Sequence, residues 1–308
     1  MLTLRSILCP VDFSDESQDA LRWAVALAAR HQSRLTVLTA VDPLLEAAAK
    51  MRLGLDLVKT ETEPALREFA KAALPETGPW APPTGFDVRV GDPTEVVLEA
   101  AARERADLIA MGTHGLGGFR RLLIGSTTER VLRRTNTALL VVPLAKAQAV
   151  AFDTSGPRFD MRRILMATDF SEASSSALDW AGDLAQQVGV PLVLCHVVAP
   201  VAVPAPWRSY VADIDEEGKR QAQVRLETLA GSLKNRVACE AVVSIGRPAD
   251  SIASLAEEHQ VGLIVVGLMG QQGGRTPRPG SVAYRVVCLA HVPVLVVPPN
   301  PGAQRARS

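Results

Sequence analysis

The chain has 308 residues, of which 47% are hydrophobic, and its 33 Lys and Arg residues balance its 33 Asp and Glu residues. This length predicts about two domains, and the balanced charge predicts no basic surface that would attract nucleic acid or an anionic membrane. Four scattered cysteines do not form the pattern of a disulfide framework, and no apolar run approaches the roughly 18 residues of a membrane span or resembles a signal peptide, so we expect a soluble, cytoplasmic protein.

Short apolar runs alternate with amphipathic segments through the first half of the chain. In chain order they predict strands at 6–11, 35–41, 86–90, 108–111 and 138–142, with helices after Ser14 and at 61–73, 94–105 and 126–134. Strands that alternate with helices predict right-handed crossovers and a parallel sheet covered on both faces. The expected fold class is therefore α/β, with a doubly wound five-stranded parallel sheet.

The second half of the chain repeats the first. Residues 5–14 align with residues 162–171, which places Asp12 opposite Asp169, and Gly112 aligns in the same way with Gly267. Several further matches follow in the same order, so we interpret the chain as a tandem duplication. The predicted domains are 1–145 and 162–300, joined by an exposed linker at 146–161 and followed by a tail at 301–308.

Two glycine clusters frame the segment after the fourth predicted strand. Gly112 and Gly115 come first, and after nine intervening residues Gly125 and Ser126 open a helix. Glycine lets backbone N–H groups approach a ligand closely, and a helix start offers unpaired N–H donors and a partial positive charge to a phosphate. The spacing predicts a phosphate loop, although neither a Walker loop nor a G-x-G-x-x-G fingerprint is present.

This motif, present in both halves, resembles that of the universal stress protein family, whose ATP-binding subgroup carries G-2x-G-9x-G-[ST]. The resemblance covers nearly all of both halves and implies an adenine nucleotide α-hydrolase-like fold that binds ATP, with or without magnesium. It implies that Asp12 faces the nucleoside and that the backbone of Val41 reads adenine. The residues implied to hold the nucleotide are Pro10, Val11, Asp12, Val41, Met111, Gly112, His114, Gly115, Gly125, Ser126, Thr127 and Thr128. The resemblance also implies an internal pseudo-dimer of the two halves, formed through their last strands.

The second half keeps the glycine spacing but changes the residues around it. Its candidate site residues are Asp169, Val198, Gly267, Gly270, Gly280 and Ser281. Val282 and Ala283 replace two threonines, and the loop at 271–279 contains two prolines, which lack N–H donors. We therefore expect this half to bind nucleotide more weakly than the first.

Several residues of types that are common in active or metal sites can be interpreted in two ways. His114 could contact phosphate or be an exposed loop histidine, and Asp12 could be a base or metal ligand instead of contacting the nucleoside. The pairs Cys195-His196 and Cys288-x-x-His291 could bind zinc, but core packing is the default for such residues. We predict no metal site and no catalytic residue.

The favoured hypothesis is a non-enzymatic, ATP-binding regulator of a stress response, whose nucleotide state is read by an unknown protein partner. A slow ATPase or phosphotransferase that uses Asp12 or His114 is one alternative. A scaffold whose second half binds another small ligand or a protein is the other. Pairing of two chains into a homodimer stays open.

Overall fold

A computed structural model describes residues 2–74, 80–114, 124–144, 149–154, 156–201, 203–204, 208–269 and 281–299. The chain divides into two compact units, of which the first runs from Thr3 to Asp160 and the second from Met161 onward. Each unit is α/β, as expected, and builds its core around a parallel sheet. No helix in the described part of the chain is long and apolar enough to cross a membrane.

The first unit is a doubly wound sheet of five parallel strands in the order β5-β4-β1-β2-β3. Buried runs of apolar residues form the central strands, and helices cover them. Its elements in chain order are β1 (Ser6–Pro10), α1 (Asp15–His31), β2 (Arg34–Val41), α2 (Pro43–Leu53), a single π-helical turn (Val58–Thr62), α3 (Glu63–Lys71), β3 (Thr84–Val90), α4 (Pro93–Arg103), β4 (Leu108–Gly112), α5 (Ser126–Arg134), β5 (Ala138–Val142), β6 (Val150–Asp153) and β7 (Gly156–Phe159).

Two segments differ from the sequence-based expectation in this unit. Helix α2 was not predicted, although the Asp42 side chain caps it by accepting bonds from the backbone N–H groups of Leu44 and Leu45 at 2.7 and 3.3 Å. The predicted helix at 61–73 is instead a π-helical turn followed by α3. Helix α2 exposes most of its apolar side chains, so it lacks the one-sided pattern by which a helix is recognised.

The segment between the two halves contains a hairpin that the sequence interpretation did not predict. Within it, β6 and β7 pair as an antiparallel hairpin. The Phe159 ring lies 5.2 Å from the ring of Trp23 on α1, and Val150 is buried. The hairpin is held by an aromatic residue more than a hundred positions earlier, so no local periodicity could reveal it.

The second unit repeats the strand order of the first, as β10-β9-β8-β11-β12, again with parallel neighbours. This confirms the duplicated α/β fold. Its elements are β8 (Ile164–Ala167), α6 (Glu172–Val188), β9 (Leu192–Val198), α7 (Arg208–Leu233), β10 (Cys239–Ile245), α8 (Pro248–Glu258), β11 (Leu263–Gly267), α9 (Ser281–Leu289) and β12 (Val294–Val297). The predicted tail at 301–308 lies outside the described residues.

Candidate functional site

The carboxyl edge of the first sheet has a point where the connections diverge. Strand β1 connects onward to β2 on one side, whereas its neighbour β4 connects to β5 on the other. Open α/β sheets bind ligands in the crevice at such a switch point. Asp12 follows β1 there, and Gly112 ends β4.

Asp12 is held by the start of α1. Its Oδ1 accepts hydrogen bonds from the backbone N–H of Ser14 at 3.2 Å and from the Ser14 hydroxyl at 2.5 Å. The Ser14 Oγ in turn caps α1 by accepting from the N–H of Ser17 at 3.2 Å. Asp12 therefore helps to orient the start of α1. Its side chain is exposed at the carboxyl edge of the sheet.

Gly112 lies directly beneath the first turn of α1. A Cβ atom at this position would be 2.9 Å from the carbonyl carbon and the Cβ of Glu16, closer than real Cβ contacts come. The close approach of helix and strand thus requires glycine whether or not a ligand is bound.

The start of α5 is fastened to the end of β4. The N–H of Gly125 donates to the carbonyl oxygen of Thr113 at 2.7 Å, and the Thr128 hydroxyl donates to the carbonyl oxygen of Gly112 at 2.9 Å. The N-cap residue of α5 is Gly125, which has no side chain to cap the helix, and Ser126 at the first position of α5 is exposed. The Thr128 proton is committed to the backbone. Among the described residues, Ser126, the half-buried Thr127 and the first N–H groups of α5 are donors at this end.

Other predicted residues of the first half lie around these two strand ends. Pro10 ends β1, half-buried, and Val11 and Met111 are buried. Val41 ends β2, and its carbonyl oxygen accepts from the N–H of Gly91 at 3.0 Å. The Nδ1 of His114 lies 3.1 Å from the Thr113 hydroxyl. Gly115 lies outside the described residues, so its role stays a prediction.

The second half repeats the arrangement around the aspartate. Oδ1 of Asp169 accepts from the backbone N–H and the hydroxyl of Ser171, at 3.0 and 2.6 Å. The carbonyl oxygen of Val198 accepts from the N–H of Gly246 at 3.0 Å, as that of Val41 does in the first half. Gly267 ends β11.

The remaining candidates of the second half are described only in part. Ser281 begins α9, and nothing is described of its side chain. Gly270 and Gly280 lie outside the described residues.

One difference between the halves was not predicted. In the first half, the hydroxyl of Thr39 on β2 donates to the carbonyl oxygen of Val11 at 2.9 Å. The second half has His196 at this place, with Nδ1 2.8 Å from the carbonyl oxygen of Thr168. Aligning β2 with β9 by the repeat would have revealed the exchange, but the sequence interpretation weighed His196 only as a core residue or a zinc ligand.

The two Cys–His pairs do not form a larger cluster in the part of the chain that is described. No group of three or more His, Cys, Asp or Glu side chains there is placed to hold a metal ion. Cys195 is buried in β9, and burial raises the pKa of its thiol to about 12. His291 lies with Nε2 3.5 Å from a carboxylate oxygen of Glu257.

Comparison with known proteins identifies the family. The universal stress protein family matches residues 3–143 and, a second time, residues 161–298. The chain belongs to the universal stress protein family. It is 29% identical over 303 residues to a universal stress protein of Mycolicibacterium smegmatis, covering 96% of this chain and 97% of that one.

Other relatives agree with the tandem arrangement and the fold. A universal stress protein of Mycobacterium tuberculosis is 28% identical over 308 residues, covering 94% of this chain and 95% of its own. Among solved structures, a universal stress protein of Archaeoglobus fulgidus has a TM-score of 0.61 at 22% identity, with 96% of this chain and 98% of that one covered. The full-length matches show that two universal stress protein domains in one chain are a shared arrangement.

Proposed function

We propose that the first half binds ATP across the carboxyl edge of its sheet and acts as a nucleotide-dependent regulator in a stress response. The observation that carries this proposal is the start of α5. In the helices α1, α2 and α4 the N-cap side chain caps the helix. The N-cap residue of α5 is Gly125, which has no side chain to do so, and α5 is fastened to β4 through Gly125 and Thr128. A helix start that is rigidly placed and lacks a cap suits an anionic ligand.

The dimensions of the edge suit a nucleotide. The phosphates would lie at Gly112 and Gly125, and the base at the end of β2 near Val41. Strand β1 lies between β4 and β2, and neighbouring strands are about 4.8 Å apart, so the two ends are separated by about 10 Å. A ribose over Asp12 would bridge that distance.

Binding is better provided for than catalysis. Asp12 already accepts two bonds from Ser14, and the ring of His114 contacts its own neighbour Thr113. Magnesium would come with the phosphate oxygens, and the exposed Ser126 hydroxyl at the start of α5 could contribute an oxygen. We therefore favour a switch that a protein partner reads over an ATPase.

Mass spectrometry of ligand released from gently purified protein tests the assignment. Gly125→Asp places a carboxylate where the phosphates would lie, and Asp at an N-cap position supports the helix, so the variant should fold and lose retained ATP. Ala102→Asp adds the same charge at an exposed position near the end of α4 and should retain it. Equal ATP content in the two variants would refute the site.

Turnover distinguishes the regulator from the enzyme. Purified protein incubated with γ-labelled ATP should release no phosphate above the rate of the buffer alone. Release that depends on His114, as shown by its loss in His114→Ala, would instead favour the slow ATPase.

A further inference from the structure

We propose that His196 contacts the ligand of the second half and selects an adenine nucleotide by accepting a hydrogen bond from the 6-amino group of the base. The proposal rests on the proposed function, because it assumes that the second half uses the same edge of its sheet for a nucleotide. It adds a residue and a selection rule that the first half does not have.

The tautomer of His196 follows from its partner. Nδ1 lies 2.8 Å from the carbonyl oxygen of Thr168, and a carbonyl oxygen only accepts hydrogen bonds, so Nδ1 carries the hydrogen. In the neutral ring Nε2 is then a bare acceptor. Among the described residues, no hydrogen bond of Nε2 is seen.

The surrounding groups fix the ring and leave that nitrogen as the unused one. The imidazole lies against Phe170 with ring centroids 4.5 Å apart, and the Arg225 guanidinium lies 4.2 Å from the centre of the same phenyl ring. The Thr168 hydroxyl is engaged by Ser174 at 3.0 Å and by the N–H of Phe170 at 3.0 Å. His196 is half-buried, so it is not closed off from solvent altogether.

His196 lies two residues before Val198, the counterpart of Val41, on the strand at whose end the base would lie. It lies on β9, which pairs with β8, which in turn pairs with β11, the strand that ends at Gly267. This is two strands from the glycine end, the same separation as between Val41 and Gly112. In the first half the corresponding Thr39 is buried with its proton committed to Val11, so it offers the base nothing comparable.

The ligand chemistry follows from a bare nitrogen acceptor. At position 6 of a purine, such an acceptor favours an amino group over a hydrogen atom or a carbonyl oxygen. Adenine carries an amino group at this position. When a ligand lacks the group that a polar side chain of the site is placed to bond, that side chain loses its hydrogen bond. Such a ligand therefore binds more weakly.

Isothermal titration of the full-length Gly125→Asp chain tests the selection, because that background removes the first-half site. We expect ATP to bind the second half about tenfold more tightly than purine riboside triphosphate, which lacks the amino group. His196→Thr restores the residue of the first half and keeps a donor for Thr168. In that variant the ratio of the affinity for ATP to the affinity for purine riboside triphosphate should fall close to one.

Nuclear magnetic resonance of nitrogen-labelled protein gives an independent readout. The Nε2 signal of His196 should move upfield on addition of ATP and stay in place with purine riboside triphosphate. A ratio that is unchanged in His196→Thr, an unmoved Nε2 signal, or no nucleotide binding in the second half would each overturn the proposal. ATP retained in full by Gly125→Asp in the first half would instead refute the proposed function itself.

Discussion

Gly112 offers the most direct test of how α1 and β4 fit together. A Cβ added there would be 2.9 Å from two atoms of Glu16, one of them main-chain, so the first turn of α1 must shift in Gly112→Ala. Overpacking of this kind costs about 1–3 kcal/mol. For a domain of about 150 residues we expect the melting temperature of the first unit to fall by roughly 3–10 °C.

Differential scanning calorimetry of nucleotide-free protein measures this effect without a contribution from ligand binding. Gly85→Ala is the matched control, because a Cβ on this strand glycine would meet nothing closer than 4.0 Å, and we expect it to be neutral or slightly stabilising. If Gly112→Ala melts like the wild type while losing ATP, the glycine serves only the ligand, and the packing argument is wrong.

Three further predictions concern capping, thiols and pH. Ser14→Ala removes the cap of α1 and should lower the unfolding free energy by about 1 kcal/mol in a urea titration; an unchanged midpoint would contradict the capping role. Burial raises the pKa of Cys9, and that of Cys195 to about 12, so a thiol reagent at pH 8 should modify both only after unfolding; rapid modification of the native protein would show that the strands open. Burial, followed by the charge of the neighbouring arginine, lowers the pKa of His31 below 6.5. The unfolded chain therefore binds its proton first, and stability should fall as the pH drops below 6.5, a loss that His31→Gln should reduce in melts from pH 7 to 5.

The regular elements near the proposed site were predictable because local patterns specify them. Helix α5 begins and ends at the predicted residues, as does β5, and the other predicted strands lie within two residues of their observed bounds. Strand residues that are buried on both faces give continuous apolar runs, and an amphipathic helix repeats its apolar residues every three or four positions. The hairpin β6–β7 shows neither pattern, and its Phe159 packs against Trp23 on a helix that is distant in the sequence.

The candidate site shows the same division. Sequence spacing indicated that Gly112 and Gly125 belong to one site. It could not show that the Thr128 hydroxyl donates to the carbonyl oxygen of Gly112, or that α1 packs so closely on Gly112 that no Cβ fits there. Nor could it show that Nδ1 of His196 contacts the carbonyl oxygen of Thr168.

The sequence by itself determined the alternation of strands and helices and the glycine spacing, because each is encoded among residues near one another in the chain. It also determined the duplication, because the two halves carry the same order of residues. Only the tertiary structure decided which polar groups are already engaged and which are left for a ligand. Those assignments depend on distances between atoms from different strands and helices, and such distances exist only once the sheet has formed.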